Sequence, residues 1–269
     1  MRWIGKVLVA CVVALTSFAV GVGSADAQGA LIDGIKKRGR MQVAFGTFVP
    51  WAVRDKQGNW MGFEIDVAAE LAKDMGVEFE LLPTQWDAIM PGLIASKYDF
   101  IIGGLSITPP RQEQIDFTAP YSTSGQGVAA NKALAEKLQW PDDYNSDKVT
   151  FVCRRGVAAC KTIAERWPKA TLRQFDDDSI AYQEVINGNA HIIMASEPRP
   201  RFAVIQNPDK LFQPTKEFVT TGVEGMGVRK GNPDAIAFLN DWIGKNKAWL
   251  ETRHTYWFKT RDWAANAAN

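Results

Sequence analysis

The sequence predicts an α/β protein made of two similar halves, with the chain passing between them twice. Three observations carry this. Residues 41–101 run strand, helix, strand, helix, strand, and residues 148–196 repeat the same order. Two extended stretches rich in Gly, Ser and Thr, "PYSTSGQGVAANK" and "EFVTTGVEGMGVRK", flank the second half and are bounded by strands. No long Pro- or Ser-rich linker separates the halves, so two crossings make a hinge and leave a cleft between lobes, a common ligand site.

In chain order, the first segment stands outside the fold. "MRWIGKV" carries Arg2 and Lys6, an apolar run follows, and Ala25-Asp26-Ala27 is a small-x-small cleavage site. This is the pattern of a secretory signal peptide over residues 1–27, cut after Ala27. "LVAC" ending at Cys11 has the look of a lipoprotein box but comes too early, with most of the apolar run behind it. Removing Arg2, Lys6 and Asp26 from the 31 basic and 30 acidic residues leaves 29 of each. That balance argues against nucleic acid or an acidic membrane surface as partner.

"MQVAFG" (41–46) alternates as a strand. "FEIDVAAELAKDMG" spaces Ile65, Ala68, Leu71, Ala72 and Met75 as one helix face, with Gly76 as the stop. "VEFELLP" is a second strand. "WDAIMPGLIASK" reads as a helix with Asp87 as cap and Pro91 near the first turn, where a missing N–H costs least. "YDFIIGGLSI" reads as a buried apolar strand. In the second half "KVTFVCRR", "ATLRQF" and "AHIIMAS" are strands, and "AACKTIAERWP" and "DDSIAYQEVING" are helices. The tail from Glu224 gives a strand and two helices, the first entered at Pro233 with Asn232 or Asp234 as cap.

Arg111 follows Gly103, Gly104 and Ser106 just past the end of an apolar strand. An arginine there is either a solvated charge or the anion-binding group of a pocket. Cys153 and Cys160 are the two cysteines left after the leader. An oxidising compartment favours a disulfide between them, the alternative being two separate buried thiols. Only His191 and His254 are present, neither at ligand spacing to a cysteine, so no metal and no cofactor is expected.

"GFEIDVAAELAKDMGV" and, over more than thirty residues in register, "WDAIMPGLIASKYDFIIGGLSITPPRQEQIDFTAPY" resemble the periplasmic solute-binding proteins of amino-acid ABC transporters, family 3. The order of the halves, the late "GVRKGNPD" and the terminal "YWFK" agree, so the resemblance covers nearly all of the mature chain. It implies a two-lobed periplasmic-binding-protein fold (type II) with a two-strand hinge. Lobe 1 would be 28–122 plus 223–269, and lobe 2 would be 123–222. It implies that Arg111 grips a ligand carboxylate, with Gly104 and Ser106 on the same wall, and that Phe48 and Trp86 clamp the ligand. The chemistry agrees: a guanidinium fork matches a carboxylate through two parallel charge-assisted bonds. Aromatic faces keep water from that bond and strengthen it. Trp51 is read as structural. The implied partners are a small-molecule ligand and a membrane permease, the implied compartment is the periplasm, and the surface composition gives no sign of an oligomer, so a monomer is expected.

The second lobe departs from the family. Where amino-acid binders place an Asp for the ligand's α-ammonium, this chain has Ser196. Ala158 stands where a ligand-binding Thr or Gly is usual, and Phe45 where glutamine-binding relatives carry another Asp. An unmatched partner in a buried charge pair costs roughly 2–5 kcal/mol, about thirtyfold to several-thousandfold in affinity. Three explanations stand side by side. Glu197 or Glu224 supplies the carboxylate, Ser196 holds the ammonium through water, or the ligand has no α-ammonium. Arg154 and Arg155 are either a second anion site, which would favour a dicarboxylate, or a solvated basic pair.

Two other classes of function use related sequences. Cyclohexadienyl dehydratases resemble these binding proteins and use a Glu as general acid near the second lobe's Gly-Thr turn; the aligned position here is Cys160. No Ser/His/Asp set or phosphate loop is present, and His191 in its apolar strand reads as a packing or rim residue. A ligand-sensing module without transport is the third class, although no signalling domain is fused in this sequence.

Overall fold

The computed structural model describes residues 30–268. The leader, its cleavage after Ala27 and the Cys11 box lie outside the described residues. Two sheets organise the rest. The first runs in the order Glu78–Pro83, Arg40–Phe45, Phe100–Ile101, Gly227–Val228, Asp116–Phe117. Its first three strands are parallel, with Val43 opposite both Leu81 and Phe100, and Gly227–Val228 lies antiparallel to both neighbours. The second runs Leu211–Phe212, Ser122–Asn131, Ile192–Ser196, Thr150–Arg154, Thr171–Phe175. The last three are parallel. These are the two α/β lobes expected.

The two extended Gly/Ser/Thr stretches do become the paired connection. Thr220–Glu224 lies antiparallel to Ser122–Asn131, with Glu224 opposite Ser122 and Thr220 opposite Gln126. One buried apolar cluster runs across both lobes, and a second lies wholly in the second lobe. Helix Phe63–Met75 buries Phe63, Val67, Ala68, Leu71 and Met75 and packs against the terminal helix Lys247–Lys259. It stops where the spacing predicts: Gly76 takes the left-handed conformation (φ 68°) and its N–H bonds back to Ala72 and Lys73. In the second lobe Tyr144, Phe151 and Trp167 form an aromatic cluster packed with Ile163.

Several local expectations are corrected. "YDFIIGGLSI" pairs as a strand only over Phe100–Ile101, because Gly104 turns to φ 68° and breaks the extended run. The stretch after Trp86 splits into a 3-10 turn, Trp86–Ala88, and a short helix, Ile89–Ile94; Asp87 falls inside the turn and caps nothing. Asn232 precedes the helix Pro233–Lys245 without a side-chain capping bond, since its amide donates instead to the Arg229 carbonyl (3.0 Å).

Candidate functional site

The parallel strands set the site. In an open α/β sheet, ligands dock outside the carboxyl ends of the strands, and the candidate residues lie there. Phe48 follows Arg40–Phe45, Trp86 follows Glu78–Pro83, and Ser106 and Arg111 follow Phe100–Ile101. From the other lobe, Arg154 and Ser196 end their strands, and Ala158 opens the helix Ala158–Arg166.

Arg111 sits in a turn of helix opened by Pro109 and Pro110. Its NH1 donates to the Ser106 carbonyl (2.9 Å) and its NH2 reaches across to the Gly156 carbonyl of the second lobe (3.1 Å). Among the described residues it has no carboxylate partner, and burial lowers its pKa to about 10. A cavity of about 430 Å³ opens beside it, lined by Ser106, Arg111, Ser124, Gln126, Ala158 and Lys161 among others. Ser196 joins this wall indirectly: Gln126 Nε2 donates to its Oγ (3.3 Å).

Gly104 lies behind that wall. A Cβ there would fall 2.4 Å from the Trp51 indole, on top of a positive φ, so only glycine fits. Trp51 is 1% exposed, stacks on Phe48 at 4.6 Å, and donates Nε1 to Glu224 (3.1 Å), a packing position as expected. Glu224 is itself fully buried in the connection between the lobes, and burial raises its pKa. Nearby, Glu64 accepts the Tyr121 hydroxyl (2.6 Å), and burial followed by the charge of Glu224 pushes its pKa well up.

Phe48 and Trp86 face a common space, and it is occupied. The Arg154 guanidinium lies 4.8 Å from each ring centroid, and its NH1 donates to the Thr47 carbonyl (2.9 Å). Arg155, by contrast, is exposed and ion-paired to Asp176 at 2.7 Å. Cys153 and Cys160 form a disulfide that brackets this turn.

Glu197 is not brought to the Arg111 cavity. It accepts from Gln213 Nε2 (3.0 Å) and lines a different space of about 1060 Å³, with Arg201, Phe218 and His254. Burial raises its pKa against the opposing pull of Arg201. His191 accepts the Thr150 N–H through Nδ1 (3.2 Å), a structural bond at the rim.

Sequence reasoning passed over Gln126, Lys161 and Asp178. Asp178 is buried at the start of helix Asp178–Ile186, 3.4 Å from Arg199, its pKa raised by burial and held back by Arg199 and Arg154. In a run of three aspartates it reads as one more capping residue; Asp177 does the capping, which leaves Asp178 to turn inward.

Two α/β lobes, a two-strand connection and a cleft at the strand ends define a hinged binding protein. Residues 41–260 match the model for bacterial extracellular solute-binding proteins, family 3, and the chain belongs to that family. It is 30% identical over 221 residues, 80% of each chain, to an L-cystine-binding protein of Escherichia coli (strain K12). It is 26% identical over 201 residues to a cyclohexadienyl dehydratase of Pseudomonas aeruginosa, covering 74% of this chain and 73% of that one. Among solved structures it resembles a binding component of an ABC transporter from Wolinella succinogenes DSM 1740 complexed with lysine. That match has a TM-score of 0.79 and 30% identity over 85% of this chain and all of the other.

Proposed function

We propose that this protein captures an amino acid or related small organic carboxylate outside the cytoplasm and delivers it to an ABC-transporter permease. The observation that carries the reading is Arg111, a half-buried guanidinium that lines the cavity and is held only by two backbone carbonyls. A half-buried charge without an ion partner is free to take a counter-ion, and a carboxylate fits its fork. The ligand docks on lobe 1 (28–122 plus 223–269) through Arg111 and Ser106, beside Gly104. Lobe 2 (123–222) then closes over it, bringing Ala158 and Ser196, and the closed form is favoured by contacts made only there. Phe48 and Trp86 wall the site, and the working molecule is a monomer in the periplasm, released by cleavage after Ala27.

Binding rather than chemistry is the activity. The position aligned with the dehydratase acid, Cys160, is tied up with Cys153, which supports capture over catalysis. Arg111→Ala should weaken solute binding by about thirtyfold to several-thousandfold, read by calorimetric titration. Native affinity in that variant would overturn the carboxylate role.

A further inference from the structure

The slot between Phe48 and Trp86 holds a side chain of the protein itself. Arg154 comes from the second sheet and crosses the cleft to reach it. The residue is 6% exposed, makes one side-chain hydrogen bond, to the Thr47 carbonyl, and leaves Nε buried without a partner. The surroundings are shaped for it. A Cβ on Gly46 would lie 2.8 Å from the Trp86 ring, so the glycine is what lets that ring stand where it walls the guanidinium. The Cys153–Cys160 bridge ties down both ends of the turn that carries it.

We propose that Arg154 determines selectivity: it fills the aromatic slot with the protein's own cation, excludes solutes with a basic side chain, and offers its Nε edge to a second carboxylate. This rests on the solute-binding reading, in which Arg111 takes the first carboxylate. Aromatic faces hold a cation by their quadrupole, and here both faces are already used. A basic ligand would find no face free and would meet a like charge, which is a strong device for rejecting a wrong partner.

Three carboxylates lie near Arg154: Asp176 and Asp177 line its cavity, and Asp178 and Asp177 favour its charged form, but each is engaged elsewhere. Asp178 is ion-paired to Arg199, Asp177 caps a helix, and Asp176 pairs with Arg155. Arg154 itself belongs to no ion pair within 4 Å among the described residues. Arg154 lies over Trp86, and Gly156, whose carbonyl takes Arg111, packs beside Trp86 Cδ1. Each guanidinium lines its own cavity, about 430 Å³ at Arg111 and about 180 Å³ at Arg154. A short solute with two acidic groups matches two such forks.

The test is calorimetric titration of ligand-stripped wild type, Arg154→Leu and Arg154→Lys with L-glutamate, glutarate, L-glutamine, L-arginine and L-lysine. Wild type should bind an acidic probe at least about tenfold tighter than L-glutamine or either basic probe. Arg154→Leu should lose acid affinity by about thirtyfold or more and gain affinity for a basic probe as the slot opens. Arg154→Lys, which keeps the charge without the fork, should still reject the basic probes, and it answers the question if the leucine variant does not fold. Wild type that binds L-arginine, L-lysine or L-glutamine as tightly as the acids overturns this inference and leaves the solute-binding reading standing. Silence of all five probes in wild type likewise overturns this inference.

Discussion

At the scale of single residues, the site depends on positions that tolerate little change. Gly104 is one: any side chain meets Trp51, and the positive φ strains every L-residue. Gly104→Ala should cost about 2 kcal/mol or more in a urea melt, and a cost near zero would mean that Trp51 does not pack as described. Glu64 is another. Burial and Glu224 raise its pKa, so the folded protein holds a proton that the unfolded chain releases. The stability from that proton is present below the ordinary carboxylate range and is lost as pH rises through the folded value. Glu64→Gln should therefore be the more stable protein at about pH 8 and lose its advantage near about pH 4. An unchanged pH profile of the urea midpoint would contradict the assignment.

At the scale of elements, the order of strands and helices was legible because apolar spacing survives wherever one face is buried. The helix Phe63–Met75 and the strand Arg40–Phe45 fall within a residue or two of their predicted bounds. What periodicity could not carry was direction. Thr150–Arg154 is buried on both faces beyond its first residue, so nothing in its pattern says where Arg154 points. Glu197 comes directly after Ser196, the last residue of its strand, yet it lines a different space from the Arg111 cavity. Short pieces such as the helix Arg199–Gln206 went unread because prolines and basic residues mask their spacing. The disulfide is the covalent part of this scale. It closes a small loop, so replacing both cysteines by serine should cost about 2.5 kcal/mol. The intact, non-reduced protein should weigh two hydrogens less than the reduced one; equal masses would exclude the bond.

At the scale of the molecule, two sheets, each with parallel strands aimed into one cleft, are joined through the ribbon of Ser122–Asn131 and Thr220–Glu224 and through helix Arg199–Gln206, which meets the terminal segment at Phe258 and Trp263. Two hydrogen bonds cross the cleft, Arg111 to the Gly156 carbonyl and Arg154 to the Thr47 carbonyl, beside the packing of Arg154 on Phe48 and Trp86. Such bonds are modest, about 1.5–3 kcal/mol each for a charged donor, so a solute that bridges the lobes has leverage over the balance between open and closed forms. The most direct measurement is a thermal-shift panel on refolded, ligand-stripped protein, pairing each α-amino acid with its deaminated carboxylate, run beside Arg111→Ala. A ligand at about a hundred times its Kd stabilises by roughly 2.7 kcal/mol. The account predicts that at least one carboxylate raises the melting temperature of the wild type and leaves that of Arg111→Ala unmoved. Equal shifts in both proteins, or no shift in either, would contradict it.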